Sequence, residues 1–453
     1  MSKVIKLKKG FNISLVGEAA FETTKTLSAA TYAIKPDDFE MFIPKLLVKV
    51  GDKVKAGTPL LFDKNNPEVL LTSPVSGTVS DIVRGAKRKL LSVLVEADKQ
   101  QECETFETKE LSGLTRDDVK QQLLKSGLWP MIIQRPYGIV ASSKLSPKAI
   151  FVSGFDSSPL APDYNYILSQ ELDNLNAGFA VLSKLTDGKV HLSLLNGTKG
   201  VPNEVSGVEK HVFEGKHPAG NVGVQIHHID PVNKGENVWT VNIQDVAIIG
   251  RLFNTGRVDM SKTVVLTGSE LVKPQYAQVI IGAKMDSIIK ASDIKTPKED
   301  YTVRIINGNV LTGKTSSSED YLSFYNNQIT VIPEGDKFEL LGWAMPRFNK
   351  LSVSRNYFSW LMPKKKYALD TNLNGGNRAF VVTGLFECFT PMDIYPLYLL
   401  KAILAKDVEK MENLGIYEIL EEDLALCEFV DPSKTEIQQI VREGLNLMIK
   451  EFN

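Results

Sequence analysis

The sequence predicts a multidomain chain of mixed α/β and β class. A small β-barrel comes first, followed by an α/β domain, a small α+β module and a C-terminal region ending in helices. Residues 48–61 (VKVGDKVKAGTPLL) and 73–82 (SPVSGTVSDI) are matched halves. Each alternates apolar and polar residues around a Gly-Asp or Ser-Gly turn, the pattern of short strands joined by tight reversals. Beyond them, strand-like and helix-like stretches alternate, which is the order of a parallel α/β domain. A length of 453 residues exceeds one ordinary core and favours roughly three to four domains.

The expected boundaries are 1–100, 101–258, 259–335 and 336–453. Residues 1–35, with LKKG at 7–10, read as strands or a loop packed near the barrel. The two halves at 48–82 look like the sandwiched barrel of lipoyl- and biotin-carrier domains. A charged linker (99–110) leads to a helix with clear ends: Thr115 as N-cap, Asp118 three residues on, Val119 and Leu123 on one face, and Gly127 as terminator. The apolar runs AIFVS (149–153) and KVHLSLL (189–195) read as strands, and 164–184 has helical spacing. A helix over 238–254 closes this Rossmann-like domain, and TVVLT (263–267) is the next strand. The 259–335 module, with YTVRII (301–306) and a serine turn at 316–318, reads as β-grasp-like. In the last region Ser433 with Glu436 predicts a capping box, and Ile437, Ile440, Val441, Leu445 and Met448 form a core-facing stripe.

Composition excludes several function classes. Hydrophobic content of 43% and charged content of 24% are those of a globular protein, and a net charge of −1 gives no electrostatic reason for nucleic acid. The basic N-terminal stretch is followed by no apolar core of signal-peptide length. The longest apolar runs fall far short of the ~20 residues of a membrane span, so any membrane association is expected to be peripheral. Cys103, Cys388 and Cys427 are three and widely spaced. They argue against a disulfide framework and for a reducing compartment. They cannot ligate an ordinary iron–sulfur cluster, and no CxxC pair exists for zinc.

A carrier domain presents one lysine at the tip between its halves. Lys64 occupies that connection (FDKNNPE, 62–68), but Asn65, Asn66 and Pro67 lengthen the turn and the methionine flanks of a biotin site are missing. No GxGxxG or GxxxxGK[ST] loop occurs. Where an α/β domain would place one stands LWPMIIQRPYG (128–138). Its two prolines and tryptophan cannot supply a run of free amides to a phosphate. Of five histidines, His217, His227 and His228 cluster with Asp230. If that segment is a strand, His227 and His228 point to opposite faces, so structural histidines are expected there rather than a metal triad. The expectation is no catalytic, cofactor-binding or metal-ligating residue. Two basic clusters, Arg84 with 87–89 and Arg355 with 364–366, read as solvated loops or as contacts to an anionic leaflet.

In order along the chain stand VGDKVKAGTP (50–59), SGLW (126–129) with RP (135–136), AIFVS, HPAG (217–220) and HHIDPV (227–232). VW (238–239), QD (244–245), NVLTG (309–313) and FYNNQITVIP (324–333) follow. Together they closely resemble the A-subunit family of the bacterial Na+-translocating NADH:quinone reductases over the full length. That family is related to the C subunit of Rnf complexes and to the flavin-binding subunit of respiratory complex I. Those relatives carry a glycine-rich flavin/NADH loop and cysteine-bound iron–sulfur centres, and this chain departs at both. The resemblance implies a scaffold without its ancestral redox cofactors, with ECF (387–389) and CEF (427–429) as remnants of the cluster region.

It further implies a peripheral subunit on the cytoplasmic face of the bacterial inner membrane, partnered by other subunits that include integral membrane ones. The whole complex would use NADH, flavins, iron–sulfur and quinone to export Na+. A quinone contact on this chain would fall at Trp129, Arg135, Pro136 and Tyr137, an apolar and aromatic wall. The competing readings are an independent flavin/NADH dehydrogenase and a lipoyl or biotin carrier through Lys64.

Overall fold

The computed structural model describes residues 4–24, 28–296, 301–335, 339, 341–342, 345, 347–376, 378–379 and 384–452. The matched halves do build a barrel from two small antiparallel sheets. One has the order Thr31–Ile34, Leu90–Ala97, Gly77–Arg84, Lys53–Val54, and the other Pro44–Leu46, Pro59–Asp63, Leu70–Thr72. Alternate residues such as Leu60, Val75, Val79, Val93 and Val95 fill its interior. Lys64 is exposed in the turn after Pro59–Asp63; its amide donates to the Ile43 carbonyl (2.8 Å).

The helix Arg116–Ser126 has the expected ends, with a Thr115/Asp118 capping box and Gly127 in the left-handed region at φ 73°. It leads into a seven-stranded sheet of order Val4–Lys6, Glu209–Glu214, Val190–Leu195, Ile150–Ser153, Val238–Val241, Ile132–Arg135, Ile139–Val140. The first five strands are parallel and the last two run antiparallel to their neighbours. Strand Ile150–Ser153 is buried on both faces: Ile150 and Val152 enter the main core, while Phe151 packs with Ile226 and Val238. Helices Leu172–Lys184 and Ile243–Thr255 cross closely, because a Cβ on Gly250 would lie 1.8 Å from the Asn174 carbonyl oxygen.

A third sheet, of six strands, has the order Lys314–Ser316, Val303–Asn307, Gln328–Pro333, Ser261–Thr267, Gln275–Ile280, Thr23–Thr24. The C-terminal region contributes Pro396–Leu404, Val408–Asn413, Glu421–Val430 and Ile437–Phe452, packed around a second core. Ile437, Ile440, Val441, Leu445 and Met448 are all buried there, as the stripe predicts. Among the described residues no helix is long and apolar enough to cross a membrane.

Four local expectations are corrected. Residues 4–24 do not simply flank the barrel: Val4–Lys6 joins the α/β sheet, Ile13 and Leu15 enter the C-terminal core, and Thr23–Thr24 joins the third sheet. The expected helix over 238–254 is a strand, Val238–Val241, followed by the helix Ile243–Thr255. Asn242 divides them, its side chain accepting the Gln244 amide (3.0 Å). The segment holding His227 and His228 is the helix Val222–Ile229 rather than a strand. Finally, Ser433 and Glu436 form no capping box. Asp431 accepts the amides of Ser433 and Thr435 at 3.0 Å each, and Glu428 accepts that of Gln438 (2.8 Å).

Candidate functional site: the buried Arg135 cluster

The segment 128–138 runs from the end of helix Arg116–Ser126 to the C-terminal helices. Proline at the first turn favours the short 3-10 turn Trp129–Met131. Trp129 is 1% exposed; its indole N–H donates to the Ala141 carbonyl (2.7 Å) and its ring meets Trp239 edge-on at 5.5 Å. The next residues form strand Ile132–Arg135, pairing antiparallel with Val238–Val241. That pairing aims Arg135 at the start of helix Glu421–Val430.

Arg135 is buried. Its Nη1 donates to Asp423 Oδ2 (2.9 Å) and its Nη2 to Glu422 Oε1 (2.5 Å). Burial alone would weaken the guanidinium charge, but Asp423 and Glu422 outweigh it and hold the group above its ordinary range. The Asp423 side chain has no exposure at all and also accepts the Leu420 amide (3.0 Å). Three carboxylates, Glu421 to Asp423, lie in the first turn of that helix, where the backbone dipole favours negative charge. Glu421 pairs with Arg442, whose Nη1 also donates to the Tyr137 carbonyl (2.8 Å). Gly223 makes the contact possible, because a Cβ there would sit 2.3 Å from both Arg135 Nη1 and Asp423 Oδ2.

The four residues expected to form a quinone wall are therefore not presented together. Trp129 belongs to the main core, while Tyr137 packs against the C-terminal core, edge-on to Tyr417 at 6.5 Å. Arg135 and Pro136 are buried, and only Tyr137 keeps partial exposure. The Arg135 guanidinium is held by the Asp423 and Glu422 carboxylates.

The QD and FYNNQ motifs converge on a second buried polar group. The Gln244 side-chain amide exchanges two hydrogen bonds with Thr263, at 2.9 and 3.0 Å. Lys262 is buried and donates to the Phe324 carbonyl (2.8 Å), while the Phe324 amide donates to Asp38 (2.9 Å). The Tyr325 hydroxyl donates to the Pro130 carbonyl (2.6 Å). Burial pushes the Asp245 carboxyl up to about 6, partly offset by Lys262 and Arg251. It pushes the Lys262 ammonium down to about 8, against the pull of Asp245 and Asp38.

The histidines separate. His227 pairs with Glu418 (2.6 Å), His228 donates to the Pro391 carbonyl (2.8 Å) and His217 meets Ser157 Oγ (3.1 Å), while Asp230 pairs with Lys148 (2.6 Å). The remaining two, His191 and His211, lie 2.9 Å apart, ring nitrogen to ring nitrogen. Sequence reasoning passed over them, although Glu209 and His211 at i, i+2 in a strand share one face. Cys427 is buried, with its thiol pushed up to about 12 by burial, and Cys388 is exposed.

Family descriptions match three parts of the chain: an NqrA N-terminal barrel-sandwich hybrid domain over residues 5–98, an NqrA second alpha/beta domain over 114–258 and an NQRA C-terminal domain over 263–318. The Na(+)-translocating NADH-quinone reductase A-subunit of Neisseria meningitidis serogroup B is 38% identical over 451 residues, covering 99% of this chain and 100% of the relative. The A-subunit of Vibrio vulnificus is 39% identical over the same coverage, and that of Rhodopirellula baltica 36% over 99% and 98% of the two chains. A solved NAD+-reducing [NiFe]-hydrogenase chain is 11% identical, with a TM-score of 0.40 over 74% of this chain and 61% of that one, too low to carry an argument.

Arg135→Met leaves Asp423 buried without its counter-charge and should cost about 3–5 kcal/mol in urea unfolding. Limited proteolysis should then release the C-terminal helices first. Gly223→Ala should destabilise the wild type more than the Arg135→Met chain, and additive effects would show that the glycine serves another contact.

The folded chain holds the Asp245 proton more tightly than the unfolded chain does. That contribution is complete below about pH 4 and is lost as pH rises through about 6. Asp245→Asn should therefore gain on the wild type by ~1–3 kcal/mol between those limits. Parallel stability curves in urea titrations at several pH values would refute this.

Proposed function

The chain belongs to the A-subunit family of the Na+-translocating NADH-quinone reductases, and on that premise we propose that it is a peripheral, cofactor-free subunit of such a complex. The complex oxidises NADH, reduces ubiquinone or another quinone and exports Na+, with electrons and ion passing through other subunits. Integral membrane subunits are among its partners, and it sits on the cytoplasmic face of the inner membrane. The observation that supports this most is the match to the A-subunit relatives across 99% of the chain. The absence of cofactor chemistry rests on Arg135, which is bound by two carboxylates where a phosphate would need free donors. A membrane-facing side is supported by the exposed Phe348, Trp360 and Leu361, with Arg355 lying 5.9 Å over the Trp360 ring and Lys364 close by in sequence.

Within this role any direct quinone contact reduces to the Tyr137 edge of the expected wall, since Trp129, Arg135 and Pro136 are buried. Burial, and then the Glu412 charge, push the Tyr137 phenol up, so it stays protonated and able to donate to a quinone carbonyl.

Membranes from a strain lacking this chain should lose Na+-stimulated NADH:quinone reduction and regain it when the purified chain is added back. The purified chain should be colourless and release no flavin on denaturation. Undiminished activity without the chain ends the subunit reading, and released flavin ends the cofactor-free one. For the quinone contact, Tyr137→Ala should weaken equilibrium binding of a quinone analogue by about tenfold, ~1.4 kcal/mol. Unchanged affinity would move the contact to another chain.

A further inference from the structure

The parallel register of strands Val190–Leu195 and Glu209–Glu214 sets His191 directly opposite Glu209, with His211 two residues further along the same face. One ligand atom from each lies within 4.8 Å of the others. They border a cavity of about 510 Å³ at the amino-terminal ends of the strands, also lined by Lys148, Asp230 and His228. We propose that His191, His211 and Glu209 bind one divalent transition-metal ion of the zinc class, with a water completing the coordination.

The donor set is two imidazoles and a carboxylate, which suits a borderline-soft ion and leaves one coordination position open toward the cavity. His191 Nδ1 and His211 Nε2 stand 2.9 Å apart. A tetrahedral ion with Zn–N of 2.0–2.1 Å needs its ligand nitrogens about 3.3 Å apart. A few tenths of an ångström of ring movement therefore admits the ion between the two rings, and the Glu209 carboxylate, within 4.8 Å of both, swings in to complete the protein ligands. Without metal one neutral ring donates its N–H to the other. On binding, the donor ring shifts that proton, through solvent, to its other ring nitrogen, so both imidazoles coordinate in their neutral form and no net proton is released.

Neutral rings are what the surroundings favour. Burial, and then the neighbouring His211, push His191 down to about 4, and His211 is also lowered, mainly by burial. The Phe151 ring stacks on His191 at 4.7 Å and fixes its plane. Glu209 now pairs with Lys189 at 2.6 Å, but the Lys189 side chain is 71% exposed and gives the carboxylate up at little cost. Lys148 is already engaged by Asp230 and Glu236. The ion would clip two strands of the sheet to each other, a stabilising role rather than a catalytic one.

The test uses the full-length chain, stripped with a chelator and titrated with Co2+ by visible absorption and with Zn2+ against a chromophoric chelator. One ion should bind per chain. His191→Ala and His211→Ala should each weaken binding by about tenfold or more, and Glu209→Gln by less. His228→Ala, which lines the same cavity but bonds elsewhere, should leave binding unchanged. Zn2+ should raise the melting temperature of the wild type and not of His211→Ala. Should His191→Ala fail to fold, the half-buried His211 still provides the decisive variant. Absence of stoichiometric binding, or binding that survives His211→Ala, would leave only a neutral histidine–histidine hydrogen bond and overturn the site.

Discussion

The contact of Arg135 with Asp423 and Glu422 is the constraint around which the C-terminal region is arranged. A buried guanidinium is costly unless its donors are met, and here both Nη atoms meet carboxylates from a helix start, where negative charge is already favoured, while Nε has no partner among the described residues. Each partner therefore requires the other. Arg135 comes from the antiparallel edge of the α/β sheet, Asp423 from the C-terminal helices, and Gly223 from the helix between them. One missing side chain at Gly223 lets three separate stretches of chain meet at hydrogen-bond distance.

Other long-range contacts reinforce the assembly. The first described residues pass from the α/β sheet through the C-terminal core to the third sheet, tying three units before the barrel begins. The Gln244 and Tyr325 contacts then lock the third sheet onto the α/β domain. These contacts join the α/β domain, the third sheet and the C-terminal core to one another.

Much of the local structure was legible from residues alone. Period-two alternation and turn glycines marked the barrel, and Thr115, Asp118 and Gly127 marked both ends of a helix. The ordered motifs over the whole length named the family. Legibility failed where short-range signals conflicted. Only Asn242 separates the apolar run VWTV from IQDVAII, so strand and helix merged in the reading although Asn242 was a usable cap between them. The glycines and valines of 220–224 hid the helix that carries His227 and His228. At 431–438 the cap came from Asp431 and Glu428 rather than from the local Ser-Glu pattern.

The sequence by itself therefore determined the barrel, the helix Arg116–Ser126, the lack of a GxGxxG or GxxxxGK[ST] motif and the lineage, because periodicity, capping and turn chemistry act over a few residues. It could not determine what occupies the place of that motif. Arg135 and Asp423 are 288 positions apart, and His191 and His211 meet only through a strand register. Such pairs are selected by packing and by the need to neutralise buried charge, and only the tertiary structure brings them together.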